Sequence, residues 1–239
     1  MQCIILAGGL GSRMGHRTAD RPKAMIEVAG EPFIRHQLRL LSAGGIDDVV
    51  ICVGYRGGLI LDEVTRFCPD GMTVRCSFDG PELLGTAGAI RLAVERGLAD
   101  EVFMVLYGDS YLVVNFADVW AAFDDEQHLG LMTVWRTDDT RDQSNAGVSD
   151  GKVVVYRKGA DHANHPTMNF IDYGLGILTA DTVLDMVPAR VPHDLADLYE
   201  TVAAKRQLQA YEVDQRFHEI GSESGLAELD RLLTMELQR

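Results

Sequence analysis

Short apolar runs alternate with longer amphipathic stretches through the first half of the chain. Each continuous apolar run has the length and composition of a buried strand. The intervening stretches have helical spacing, and glycines such as Gly44 and Gly45 mark where one of them ends. The predicted strands lie at 3–6, 49–53, 73–76 and 102–106, and the predicted helices lie at 33–43, 59–67 and 86–97. This alternation predicts an α/β fold in which helices cover both faces of a mostly parallel sheet.

The second half of the chain has a different pattern, with closely spaced strands and a hairpin. The polar run at 149–152 lies between two apolar runs and is typical of a hairpin turn. Strands are predicted at 129–135, 146–148, 153–155, 170–178 and 217–220, helices at 179–186, 194–204 and 226–237, and polar loops at 138–144 and 159–167. Because no change of composition marks a linker, we predict a single domain over 1–239 with two halves, 1–115 and 116–239.

The charge balance restricts the classes of partner. The chain has 239 residues, with 36 Asp and Glu against 22 Lys and Arg, and its formal net charge is −14. Such a surplus of acid argues against nucleic acid and against an anionic membrane surface as partners, since both attract basic proteins. No run approaches the roughly 18 apolar residues of a membrane span, and the short apolar start lacks the basic flank of a signal peptide. We therefore expect a cytoplasmic protein that binds a small ligand.

The most informative segment is the glycine-rich turn at 8–11, directly after the first predicted strand. A turn there lies at the carboxyl edge of a parallel sheet, where bare backbone N–H groups can approach phosphates. A P-loop sequence is absent, and a dinucleotide fingerprint would need glycine or alanine where Met14 stands. Two cations near the turn, Arg13 and Lys23, indicate a triphosphate as the ligand. The negative charge of a triphosphate must be neutralised before another anion can attack it, and these side chains can do this. The alternative at this point is a tight turn with two surface cations.

Four motifs resemble those of the sugar-1-phosphate nucleotidyltransferases, or NDP-sugar pyrophosphorylases, and they occur in the order found in that family. They are the glycine-rich segment 6–14 followed by 22–23, Leu-Gly-Thr-Ala-Gly-Ala at 84–89, Tyr-Gly-Asp at 107–109, and Phe-His-Glu-Ile-Gly-Ser at 217–222. Within the family, the chain most resembles bacterial heptose-1-phosphate guanylyltransferases or NDP-sugar synthases of unassigned sugar. The resemblance implies a three-layer, Rossmann-like and GT-A-like α/β fold with a mostly parallel mixed central sheet. The first half would bind the nucleotide and the second half the sugar.

The resemblance also implies roles for individual residues. The expected catalytic residues are Arg13, Lys23 and Asp109. The expected nucleotide-binding residues are Leu6, Ala7, Gly8, Gly9, Gly11, Ser12, Asp79, Gly80, Gly85 and Thr86. The expected sugar-phosphate-binding residues are Lys158, Asp172 and Gly174. Arg157 stands where the family commonly has a glutamate that holds sugar hydroxyls, so this chain lacks that contact.

A magnesium site is expected at Asp109 and Glu219. Asp109 follows an apolar strand and a glycine, so its carboxylate projects at the same sheet edge as the glycine-rich turn. A hard oxygen ligand that faces a triphosphate is what Mg²⁺ requires. Glu219 stands where the family usually has aspartate, and this change keeps an oxygen ligand at the position.

The implied reaction joins an NTP and a sugar 1-phosphate, with release of pyrophosphate and with Mg²⁺ as cofactor. Two other functions fit parts of the sequence. A glycosyltransferase of related fold that uses an NDP-sugar would need an Asp-x-Asp motif, but 109–111 contains only the first acid. A nucleotide-binding regulatory module without turnover would be expected to lose Arg13, Lys23 or Asp109, and all three are present.

Overall fold

A computed structural model of the protein describes residues 1–137, 143–159 and 167–237, apart from the side chains of Ser12, Arg13 and Leu237. Its strands are β1 (Gln2–Leu6), β2 (Glu27–Val28), β3 (Glu31–Pro32), β4 (Asp48–Val53), β5 (Thr73–Phe78), β6 (Val102–Tyr107), β7 (Ser110–Tyr111), β8 (Gly130–Arg136), β9 (Ala146–Ser149), β10 (Lys152–Tyr156), β11 (Phe170–Thr179), β12 (Leu208–Val213) and β13 (His218–Glu219). Its α-helices are α1 (Phe33–Ala43), α2 (Gly57–Arg66), α3 (Gly85–Glu95), α4 (Phe116–Ala122), α5 (Ala180–Met186), α6 (Leu195–Ala204) and α7 (Glu223–Leu237), and short 3₁₀ helices lie at Ser12–Thr18 and Lys23–Met25. None of these described helices has both the length and the apolar character needed to cross a membrane.

Within the described residues, nine strands form one central sheet in the order β5-β4-β1-β6-β11-β8-β12-β10-β9. The first four strands in that order pair in parallel, as the alternation of strands and helices predicts. β11 then pairs antiparallel with both β6 and β8, and it thereby joins strands of the two predicted halves. β12 pairs parallel with β8, whereas β10 pairs antiparallel with both β12 and β9. The sheet is mixed, and its parallel order is concentrated on the β5 side.

Helices cover both faces of this sheet because successive strand side chains point to opposite faces. On one face, Cys3 and Ile5 of β1 belong to the same buried apolar cluster as Ile34 of α1 and Ile60 of α2. On the other face, Ile4 belongs to a cluster that includes residues of α3, α5 and α6. Burial of each large aliphatic side chain stabilises the fold by roughly 1.5–3 kcal/mol. The predicted three-layer α/β fold is confirmed.

The last helix, α7, is held against the rest of the protein by a third apolar cluster. Leu226 and Leu229 of α7 belong to it together with Val28 of β2 and Phe33 of α1. Just before α7, β13 pairs antiparallel with β7, the short strand that follows the end of β6. This pairing places the segment before α7 beside the turn at the end of β6.

The sequence pattern does not predict β12 and gives no bounds for α4. β12 reads Leu-Gln-Ala-Tyr-Glu-Val, and only its two ends, Leu208 and Val213, are buried. Polar residues interrupt the run, so the strand lacks the continuous apolar character that identifies the strands of the first half. α4 is seven residues long and ends just before an acidic run at 124–126 that we interpret as the end of a helix-like stretch. Most of the two predicted polar loops, 138–144 and 159–167, lies outside the described residues.

Candidate active site

A cleft of about 450 Å³ opens at the carboxyl ends of β1, β4 and β6, the edge at which open parallel sheets bind ligands. The predicted site residues that line it are Leu6, Ala7, Gly8, Gly9, Gly11, Lys23, Asp79, Gly85, Thr86, Asp109, Lys158 and Asp172. Gly80, Gly174 and Glu219 are not among the lining residues. The side chains of Ser12 and Arg13 lie outside the described atoms. The structure therefore brings predicted residues of both halves to one cleft.

The glycine-rich turn after β1 exposes bare backbone to this cleft. It lies close to the end of β4, since a Cβ atom on Gly54 would be 2.7 Å from the carbonyl oxygen of Gly8. Gly11 has a φ of 64°, and its carbonyl oxygen accepts a hydrogen bond of 3.0 Å from the Thr18 hydroxyl. Among the described residues, no acceptor pairs with the backbone N–H groups of Gly8 and Gly9. These two donors are available to a phosphate.

Lys23 and Asp109 form an ion pair in the cleft, with Nζ 2.9 Å from Oδ2. The backbone before Asp109 passes so close to β1 that a Cβ atom on Gly108 would lie 2.3 Å from a carbonyl oxygen of that strand. Gln37 of α1 is fully buried and donates through Nε2 to carbonyl oxygens at both ends of the turn 107–110. Glycine and glutamine together fix the turn that carries the carboxylate.

Asp109 and Glu219 are brought together by the pairing of β7 with β13. The N–H of Ile220 donates to the carbonyl oxygen of Asp109 at 2.9 Å. A Cβ atom on Gly221 would lie 2.2 Å from Oε2 of Glu219 and 3.4 Å from Oδ2 of Asp109, so the missing side chain leaves room between the two carboxylates. One oxygen of Glu219 also accepts a hydrogen bond of 2.6 Å from the Ser222 hydroxyl.

The residue types of this pair of carboxylates are suited to a divalent cation such as Mg²⁺. Among the described residues, no group of three or more His, Cys, Asp or Glu side chains could hold a metal ion. The protein therefore offers two hard oxygen donors, Asp109 and Glu219, on either side of the space at Gly221. Mg²⁺ is commonly bound by one or two carboxylates and completes its shell with water and substrate phosphates.

The predicted base and ribose segments meet where β5 ends and α3 begins. Oδ2 of Asp79 accepts a hydrogen bond of 3.2 Å from the N–H of Leu84. Burial raises the pKa of the Asp79 carboxyl above its usual value. Gly85 has a φ of 72°, and a Cβ atom there would lie 2.5 Å from the carbonyl oxygen of His193. The start of α3 is thus closely packed against the segment that precedes α6.

Asp194 links residues from the two predicted halves of the chain in the cleft, and the sequence does not identify it as a site residue. Its Oδ1 accepts hydrogen bonds from the Ala196 N–H at 3.1 Å and the Thr86 hydroxyl at 2.9 Å. Its Oδ2 forms an ion pair with Lys158. Burial would raise the pKa of Asp194, but the hydrogen bonds from Lys158, Ala196 and Thr86 hold it below its usual value. An aspartate before a predicted helix is a capping signal, but that signal does not place it beside Lys158.

Asp172 lies on β11, at a bulge in its pairing with β8. Its Oδ1 accepts a hydrogen bond of 3.0 Å from the N–H of Gly174, and its Oδ2 accepts from the hydroxyls of Tyr107 and Tyr156. Burial raises the pKa of the Asp172 carboxyl. Gly174 has a φ of 96°, and a Cβ atom there would lie 3.0 Å from Oγ of Ser110. The bulge and the close contact with Ser110 require glycine at this position.

Arg157, the residue at the family's glutamate position, does not line the cleft. Its Nη1 pairs with Glu200 of α6 at 2.8 Å, and 58% of its side chain is exposed. Its neighbours Tyr156 and Lys158 do line the cleft, as the alternation of side chains along extended backbone requires. Sequence reasoning gives Tyr107 and Tyr156 no role, because the motif at 107–109 points to Asp109 and Tyr156 is a single aromatic residue at a strand end.

A family model described as the MobA-like NTP transferase domain matches residues 3–215. Among curated relatives, the mannose-1-phosphate guanyltransferase of Yarrowia lipolytica is 27% identical over 230 residues, which cover 92% of this chain and 61% of that protein. The glucose-1-phosphate cytidylyltransferase of Salmonella typhimurium is 32% identical over 147 residues, which cover 52% of this chain and 55% of that protein. The chain thus spans about three fifths of the length of the curated relatives it matches.

Solved structures show the same fold. HddC from Yersinia pseudotuberculosis, complexed with GMP-PN, has a TM-score of 0.78 at 23% identity, and the match covers 97% of this chain and 99% of that one. The inositol-1-phosphate CTP transferase from T. maritima has a TM-score of 0.79 at 20% identity, with 98% and 94% covered. The family model and these matches confirm the resemblance seen in the motifs. The chain belongs to the family of MobA-like NTP transferase domains.

Proposed function

We propose that the protein transfers a nucleoside monophosphate from an NTP to a sugar 1-phosphate, which yields an NDP-sugar and pyrophosphate. The observation that carries this proposal is that one cleft contains the glycine-rich turn, the Lys23–Asp109 pair and Lys158. A triphosphate is bound by bare N–H groups and cations, and a second phosphate needs a further cation. The curated relatives bear the names of enzymes of this class.

The reaction exchanges one phosphorus–oxygen bond for another. An oxygen of the sugar 1-phosphate forms a bond to the α-phosphorus, and the bond from that phosphorus to the bridging oxygen of the β-phosphate breaks. The electron pair of the broken bond leaves with pyrophosphate. Because a phosphate monoester is anionic at neutral pH, the nucleophile needs no general base from the protein. Catalysis therefore depends on alignment of the two substrates and on neutralisation of their charge.

Each part of the cleft has a role in this proposal. The N–H groups of Gly8 and Gly9 bind phosphate oxygens of the NTP, and Lys23 neutralises charge that builds up beside them. Arg13 is assigned the same task on the basis of its sequence motif alone. Asp79 and Gly85, at the end of β5 and the start of α3, lie where the base and ribose would bind.

Lys158 is the proposed ligand of the sugar phosphate, and Asp194 holds its ammonium group in the cleft in the free protein. Asp109 and Glu219 are the residues that would hold Mg²⁺. When bound, the ion withdraws charge from phosphate oxygens and makes the phosphorus a better electrophile.

Release of pyrophosphate tests the proposal directly. Purified protein is incubated with Mg²⁺ and each pair from a grid of five nucleotides, ATP, GTP, CTP, UTP and dTTP, and a panel of hexose, heptose and aminosugar 1-phosphates. We expect pyrophosphate and the matching NDP-sugar from at least one pair. Folded protein that produces pyrophosphate from no pair would overturn the proposal. In a parallel incubation with NDP-sugars, consumption of an NDP-sugar without pyrophosphate would instead support a glycosyltransferase. Tight nucleotide binding without turnover would support a regulatory module.

A further inference from the structure

Three strands bring one carboxylate and two phenols together in the second half of the cleft. Tyr107 ends β6, Tyr156 ends β10, and Asp172 lies on β11. The Tyr107 hydroxyl donates to Oδ2 of Asp172 at 2.8 Å, and the Tyr156 hydroxyl donates to the same oxygen at 3.1 Å. Both tyrosines line the cleft that contains Lys158. Neither tyrosine belongs to a motif that assigns it a role.

Both phenols of this cluster donate to the same oxygen of Asp172. A phenol has one proton to donate, and in both tyrosines that proton is directed to Asp172. The lone pairs of the two phenol oxygens remain, so each hydroxyl can only accept a further hydrogen bond. Burial raises the pKa of both phenols above the usual value, so both keep their protons at neutral pH.

The carboxylate itself has little capacity left for a ligand. Both of its oxygens already accept hydrogen bonds, Oδ2 from the two phenols and Oδ1 from the N–H of Gly174. The backbone N–H of Asp172 in turn donates to Oδ1 of Asn145 at 2.8 Å, which fixes the strand beneath the cluster. Asp172 thus holds the phenols in place, and the two phenol oxygens, on residues that line the cleft, keep capacity to accept a hydrogen bond.

We propose that Tyr107 and Tyr156 contact the sugar and accept hydrogen bonds from its ring hydroxyls, and that Asp172 is the positioning residue that orients both phenols. This inference rests on the proposed function. The ligand of this subsite would be a polyhydroxylated ring. Its hydroxyls would donate to the two phenol oxygens, next to Lys158, which would bind its phosphate. Arg157 takes no part, because its guanidinium pairs with Glu200.

The test compares the Michaelis constants of the two substrates in single variants. Tyr107→Phe and Tyr156→Phe each remove one acceptor and keep the ring. Each should raise KM for the sugar 1-phosphate roughly three- to tenfold, as expected for one lost hydrogen bond. KM for the NTP should stay within twofold of the wild-type value. Asp172→Asn should also raise KM for the sugar 1-phosphate. In a variant that already carries both Tyr→Phe changes, Asp172→Asn should raise this KM little further, because the three residues act as a unit.

Two controls separate sugar contact from a general loss of structure. Tyr173→Phe removes the hydroxyl of a neighbouring buried tyrosine that does not line the cleft and donates to a carbonyl oxygen at 3.4 Å. It should leave both KM values unchanged. Monodeoxy analogues of the accepted sugar 1-phosphate give the second control. For the analogue that lacks the contacted hydroxyl, wild type and the Tyr→Phe variant should have the same KM.

The outcomes are distinguishable. If wild-type protein turns over and both Tyr→Phe variants keep the wild-type KM for the sugar, the inference is wrong and the proposed function stands. The same conclusion follows if KM rises equally for both substrates, or if the increase is the same with every deoxy analogue. If wild-type protein releases no pyrophosphate from any pair in the grid, the proposed function and this inference are both wrong.

Discussion

The two sides of the cleft, which we propose as the nucleotide side and the sugar side, are built in different ways. On the nucleotide side, the surface comes largely from backbone in consecutive residues, with glycines wherever strands and turns approach closely. Gly8 and Gly108 are examples, each packed against the backbone of a neighbouring strand or turn. On the sugar side, the surface comes from side chains of distant segments that hold one another, such as Asp172 with its tyrosines and Lys158 with Asp194.

This difference explains how far each side can vary in sequence. A site made of backbone depends on a few residues that permit close approach, so its motif stays recognisable. A site made of side chains can be assembled from other residues as long as donors and acceptors remain paired. The exposed Arg157 at the family's glutamate position is consistent with this freedom. Substitutions on the nucleotide side should therefore affect turnover or folding, whereas substitutions on the sugar side should affect the KM of one substrate.

The largest effect is expected from Asp109→Asn. The change keeps the size of the side chain and removes the charge that pairs with Lys23 and that would hold Mg²⁺. Turnover should fall by about a hundredfold or more, since transition-state charge would lose a fixed partner. Steady-state pyrophosphate release with wild type and variant measures the effect.

Asp118→Asn on α4 is the matched control for Asp109→Asn, because its side chain is exposed and away from the lining of the cleft. It should leave turnover unchanged. Near-normal rates for Asp109→Asn would remove this carboxylate from the catalytic machinery and would contradict the importance of the turn after β6.

Gly85→Ala tests the dependence of the nucleotide side on backbone. Alanine at a φ of 72° is strained, and its Cβ atom would lie 2.5 Å from the carbonyl oxygen of His193. The free energy of unfolding should fall by roughly 2–3 kcal/mol. Gly97→Ala is the control, since Gly97 has a φ of 67° but no atom within 4 Å of the added Cβ. Gly97→Ala should lower the free energy of unfolding by only about 1 kcal/mol. Urea unfolding measures both variants. Equal losses of unfolding free energy in Gly85→Ala and Gly97→Ala would show that the close approach to His193 is unimportant.

Lys158→Met tests the sugar side with a smaller expected effect. The change removes the charge and keeps a long apolar stem, so KM for the sugar 1-phosphate should rise about tenfold through loss of a charge-assisted hydrogen bond. KM for the NTP should not change. Lys152→Met, at the other end of β10 and outside the lining of the cleft, is the control. An equal rise of both KM values would mean that the two sides of the cleft are not separate.

The same contrast determines how much could be predicted from the sequence. The strands of the first half are predicted because each is a continuous apolar run, and the turn at 8–11 follows one of them directly. Lys158 and Asp172 are predicted through the resemblance, but their partners are not. The contact of Asp172 with Tyr107 depends on the position of β11 beside β6, and a sequence pattern does not specify which strands become neighbours. β12 is missed for a local reason, since polar residues interrupt its apolar run.

The smallest effect is expected from Asp194→Asn. Asparagine can still cap α6 and accept from Thr86, so the change removes mainly the charge that pairs with Lys158. The pair is well exposed, and at pH 7 the loss of unfolding free energy should be at most about 1 kcal/mol. Because the pKa of Asp194 is lowered in the folded protein, this contribution is present above the usual value of 3.8 and disappears as pH falls through the lower folded value. Urea unfolding of both proteins in steps from pH 7 to pH 3 should show the difference shrink only below about pH 4. Asp197→Asn, which changes a second carboxylate on the first turn of α6, is measured alongside as the control. A difference in unfolding free energy between wild type and Asp194→Asn that stays constant from pH 7 to pH 3 would show that the charge of Asp194 does not stabilise the fold.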